Sequence, residues 1–113
     1  TSIMTGGSTM STTIINSNSD AVTITSVQVQ WNKNQSGGSL ALINASLGAL
    51  FWGGTDNTGS LTITPSALVM VGNSSQNMVF TFDGNYSDPT GSLLTITFSL
   101  PGCGDYIVTA TLN

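Results

Sequence analysis

The 113-residue chain contains no histidine, no glutamate and no arginine, and it has one lysine and one cysteine. Each absence removes a class of chemistry. Without imidazole there is no Ser-His-Asp or Cys-His nucleophile and no His/Cys zinc site. Lys33, the one cation, lies in the polar stretch NKNQSGG. There it is solvated, whereas a Ser-Lys pair or an isopeptide bond needs a buried amine beside an acid. The expectation is a chain that is not an enzyme and carries no cofactor.

Charge is scarce as well. Charged residues make up 5% of the chain, against about a quarter in an ordinary soluble domain. Five aspartates and Lys33 give a net charge of −4, so no basic stripe exists to neutralise phosphates, and nucleic acid and anionic membrane surfaces are excluded as partners. No apolar run approaches the roughly 20 residues of a membrane span. The first residues, TSIMTGGSTMSTT, hold neither a cationic segment nor an apolar stretch. A chain starting with Thr is expected to be a processed product or an ectodomain. The lone Cys103 has no intrachain partner, so cysteine counting leaves the compartment open. The Ser-, Thr- and Asn-rich composition points to an extracellular, cell-surface setting.

What is present is alternation. STMSTTIIN (8–16) and AVTITSVQVQW (21–31) alternate apolar and polar residues, with one change of register in the second, at Thr25-Ser26, that predicts a bulge. Apolar runs follow at 40–44 and 47–52, separated by Ala45-Ser46, and then a turn cluster, GGTDNTG. A short helix is the alternative for LALINASLGALFW. Further strands are expected at 60–64, 67–71, 76–83, 92–99 and 105–112, and no stretch sustains an apolar period of 3.6 residues. Such a series of short strands predicts an all-β chain, an immunoglobulin-like antiparallel β-sandwich of about 8–10 short strands. Residues 1–12 are expected to form an N-terminal extended segment and 13–113 the sandwich.

The run NSNSDAVTITSVQVQW, a Gly-rich loop, LALINASLGALFWGG, VGNSSQNMVFTF and LLTITFSLPGC resembles a family of secreted bacterial β-sandwich domains associated with pilin-like proteins. The likeness spans residues 14–103. It departs from the pattern in lacking an upstream cysteine and in continuing past the closing Gly-Cys with GDYIVTATLN. More broadly, composition and architecture are similar to extracellular filament subunits joined by donor-strand complementation, such as archaeal threads and bundling pili and bacterial biofilm fibres. That resemblance implies a homopolymer.

Individual residues carry further expectations. In DGNYSDPTG, Asp83, Asn85, Ser87 and Asp88 offer oxygens at near-alternate positions as a calcium loop does, but no bidentate Glu follows, and a hairpin loop is the favoured reading. Sequons place candidate glycans at Asn34, Asn44, Asn73 and Asn85, no enrichment in a chain with 33 Ser and Thr. Trp31 is expected in the core, and of Phe51 and Trp52, adjacent in a strand, at least one as well; the competing role is stacking on sugar. Edge strands are normally guarded by Lys, Glu or Pro, and this chain has few such guards. Ile3, Met4 and Met10 belong to the segment expected to be donated to a neighbouring sandwich. The last strand, tied to its predecessor by PGCG, is expected to pair locally. Cys103 on that turn is either a free thiol or an interchain link. The free thiol is favoured, since a disulfide needs two copies of the turn within about 6 Å. The alternative function is a soluble ectodomain of a type IV pilin-like protein or a monomeric carbohydrate-binding module.

Overall fold

A computed structural model describes residues 3–34, 40–66, 68–86, 91–100 and 104–111. The strands are β1 (Ile3–Gly6), β2 (Thr9–Asn16), β3 (Val22–Gln30), β4 (Leu42–Leu47), β5 (Ala49–Asp56), β6 (Ser60–Ile63), β7 (Leu68–Met70), β8 (Ser74–Phe82), β9 (Leu93–Leu100) and β10 (Gly104–Thr111). Among the described residues there is no helix. One sheet runs β1-β2-β8-β4-β5 and the other β10-β9-β3-β6, with β7 also paired to β3. Neighbouring strands are antiparallel throughout.

Period-2 patterning decides which side of each strand faces the core. Met78, Phe80 and Phe82 of β8 and Leu94, Ile96 and Phe98 of β9 are all buried, and they join one cluster with Met10, Ile14, Val22, Ile24, Val27 and Val29. Residues of both sheets thus share a single core, which makes the fold a β-sandwich. The chain crosses between sheets from β2 to β3 and again from β8 to β9, setting β2 beside β8 and β3 beside β9, an immunoglobulin-like arrangement. The final strand pairs with β9 along its whole length, from Gly104 opposite Leu100 to Thr111 opposite Leu93.

The bulge in β3 falls where the alternation breaks. Ile24 faces Phe98 and Ser26 faces Thr97, so Thr25 is the extra residue. Two turns differ from expectation. The chain does not reverse at Ala45-Ser46: β4 continues to Leu47, Ala45 is buried, and the reversal is at Gly48, whose φ of +74° suits glycine. Of GGTDNTG, Gly53–Asp56 extend β5, and only Asn57, Thr58 and Gly59 make the turn, closed by Thr58 N–H donating to Asp56 Oδ1 at 2.9 Å. At the N-terminal end, β2 crosses the boundary expected between segment and sandwich. Met10, 1% exposed, is a core residue of its own domain, and Thr12 is buried beside it. The strand outside β2 is Ile3–Gly6.

Candidate functional site

Apolar strands with few charges leave two features at the sheet margins. The first is an open groove of about 480 Å³ between the two sheets, with polar and apolar surface about equally exposed in it, walled by Leu47, Leu50 and Phe51 on one side and Pro65, Leu68 and Val69 on the other. Its origin is local. Along β3, Val27 pairs with Ile63 and Ile24 with Leu68, so three steps of β3 face five on the other strand. Pro65, with no N–H to give a ladder, lies in that interruption. On the opposite wall, Ala45 faces Trp52 while Ser46 faces Leu50, which leaves Phe51 as the extra residue of a second bulge. The bulge lets adjacent Phe51 and Trp52 both pack, half-buried, against the core. Leu50 and Val69 stay 63% and 51% exposed. None of the described residues lining the groove is titratable, so these residues offer shape and a mixed polar and apolar surface.

The second feature is the margin formed by β1. It pairs with β2 at four positions: Ile3 opposite Thr12, Met4 opposite Ser11, Thr5 opposite Met10 and Gly6 opposite Thr9. The turn that follows is anchored from outside the hairpin. Tyr86 N–H donates to Gly7 O and Phe82 N–H to Ser8 O, both at 2.8 Å. Tyr86 is the centre of that corner. Its ring stacks on Phe82 with centroids 4.6 Å apart, its hydroxyl accepts from Asn32 N–H at 3.0 Å, and the same hydroxyl shares a hydrogen bond with buried Ser92.

Trp31 lies behind the corner, 5% exposed, tilted against Phe82 and donating from Nε1 to Leu40 O at 2.9 Å. Its ring is core, with no face open to a sugar. Of the candidate calcium ligands, Ser87 and Asp88 lie outside the described residues. Asp83 already has a partner, since its Oδ1 accepts from Ala41 N–H at 3.0 Å and so ties β8's end to the start of β4. Among the described residues no group of three His, Cys, Asp or Glu side chains comes together. Lys33 is exposed. Asn34, Asn73 and Asn85 are exposed as well, whereas Asn44 is half-buried within β4. Cys103 lies outside the described residues. Among those described, no helix is long and apolar enough to cross a membrane.

Sequence reasoning passed over Tyr86, Asn16 and Ser92. Tyr86 sits among Asn, Ser and Asp, where a tyrosine reads as a loop residue, and no local pattern signals its burial. Compared with protein-family models, curated proteins and solved structures, the chain matches none.

Proposed function

We propose that the chain is a structural subunit of an extracellular filament, whose copies are joined by donor-strand complementation through the N-terminal segment. The observation that supports this reading best is the margin at β1, a four-residue strand that among the described residues ends its sheet and is followed by a glycine turn. No Lys, Glu or Pro stands in β1 or in β5 at the far edge of the same sheet, and Asp56 alone is charged there. Unpaired N–H and C=O groups on such edges recruit further strands. For a chain outside the cell that lacks the usual guards, a repeating partner of the same kind is a consistent use of them. Electron microscopy of the native material tests this. Regular filaments of one repeating subunit are the expected result, and a monodisperse 11.6 kDa species overturns it.

A second reading, a monomeric binding module, is favoured by the groove between β5 and β7. A groove of this volume with exposed Leu50 and Val69 on its walls has room for a small ligand. In that case Leu50→Lys and Val69→Lys abolish ligand binding and leave the fold intact.

A further inference from the structure

We infer that the element exchanged between copies is β1 alone, that Gly7 is its hinge, and that its acceptor is the β2 edge of a second copy, in the register β1 already holds in its own domain. This rests on the filament reading above. It differs from that reading in naming which residues move, about which point, and onto what.

The division between what moves and what stays is set by hydrogen bonds. From Gly7 onward the chain is held by elements other than β1. Gly7 O and Ser8 O accept from Tyr86 and Phe82, and β2 then pairs with β8 at eight successive positions from Thr9 to Asn16. Before Gly7 the only neighbour in the sheet among the described residues is β2, at four positions. Ile3–Gly6 can therefore leave while the rest of the sandwich keeps its pairing.

The hinge is suited to such a swing. Gly7 has φ +56°, a conformation in which glycine is nearly unrestricted, and a Cβ built there meets no atom within 4 Å. Open space around the hinge and an adjoining Gly6 let the backbone redirect without disturbing Tyr86.

The acceptor follows from the register. When β1 leaves, the alternate N–H and C=O groups of β2 that point towards β1 rather than β8 lose those bonds, and an edge beside buried Met10 and Thr12 is uncovered. The strand known to satisfy that edge is β1 itself, so a β1 from an identical chain makes the same pairs. No charged residue occurs in positions 1–19, so neither donor nor acceptor edge repels a copy of itself. Each chain gives one strand and accepts one, a head-to-tail contact that propagates when it does not close. Because the same pairs form within a chain and between chains, the balance is set by hinge geometry and by concentration.

The test uses register partners Met4 and Ser11, whose Cα atoms in an antiparallel pair lie within disulfide range. In a Cys103→Ser background, Met4→Cys chains and Ser11→Cys chains are co-assembled, oxidised and run on a non-reducing denaturing gel. A heterodimer band in assembled material, absent from unassembled monomer, is expected. A chain carrying both substitutions, oxidised as a monomer, has β1 locked to its own β2; its assembly is lost and returns on reduction. Filaments from the locked chain overturn the inference and leave the filament reading standing. Failure of the unsubstituted chain to form filaments at all overturns both.

Discussion

Asn16, the last residue of β2, shows how much one polar side chain can organise in a molecule with so few charges. It is 4% exposed, and its Nδ2 donates to the carbonyls of Asp20, Met70 and Val71 at 3.0, 3.2 and 3.1 Å, while Oδ1 accepts from Asn18 N–H. The amide thus joins the connection after β2 to the one after β7. Gly72 completes the joint: a Cβ there would lie 2.2 Å from Ser19 O, and Asn73 N–H donates to Asn18 O beside it. Replacing Asn16 with Ala strands buried carbonyls and costs about 2–3 kcal/mol. Asn16→Asp is worse than Ala, since it sets a carboxylate against three carbonyl oxygens. That carboxyl is easier to ionise in the unfolded chain, so the variant's deficit grows as pH rises above about 4, and denaturant melts at two pH values check it. Gly72→Ala forces backbone apart at a cost of about 3 kcal/mol. Tyr86→Phe keeps the stack on Phe82 and removes the partner of Asn32 N–H and Ser92, for a loss of about 1–3 kcal/mol. None of these residues stands out in the sequence, because their partners are backbone groups more than 50 positions away for Met70, Val71 and Asn32.

At the scale of elements, the sequence is much more informative, because alternation is a local property and burial follows it. The register change in β3 is visible in VTITSVQVQW, where Val22 and Ile24 occupy one parity and Val27 and Val29 the other, and the structure resolves it as a bulge at Thr25. The turn at Gly48 and the extension of β5 through Gly53-Gly54 were not legible in the same way. Ala45 and Ser46 suit a strand as well as a turn, and glycines that look like a turn are accepted in β5, where Trp52 covers Gly54: its Cζ2 lies 3.3 Å from where a Cβ would stand. The candidate site was legible only as a shortage of guards. The groove needs Pro65 and the Phe51 bulge to face one another across two sheets, which no local pattern reports. Deletion separates the two kinds of position. Removing Thr25 restores strict alternation and keeps Ile24 opposite Phe98 and Val27 opposite Ile96, so the variant folds cooperatively within about 2 kcal/mol of the parent. Removing Gln28 shifts Val29 and Trp31 to the solvent face. Loss of two large buried side chains at about 1.5–3 kcal/mol each makes that variant fail to unfold cooperatively, as tryptophan fluorescence during denaturant titration reads out.

The whole molecule measures 46 × 25 × 20 Å and exposes 5588 Å², close to the roughly 5,800 Å² expected of a monomeric protein of this mass. Among the described strands β1 already covers the edge of β2, which is why exchange of a like strand for a like strand suits the chain. Its stability has to come from apolar burial and backbone pairing, because five aspartates and one lysine spread over 113 residues supply almost no ion pairs to screen. Interactions among sparse exposed charges fade within about 10 Å at moderate ionic strength, whereas burial in the core is indifferent to such screening. The midpoint of thermal unfolding should accordingly move by less than about 2 °C between about 20 mM and about 500 mM sodium chloride. Filament growth, if β1 exchange drives it, shows the same indifference to salt while depending steeply on protein concentration, because backbone pairs are made at an uncharged edge. A rise or fall of more than about 4 °C in the unfolding midpoint, equivalent to roughly 1 kcal/mol, would mean that charge contributes to the fold after all, and light scattering over the same salt series applies the same test to assembly.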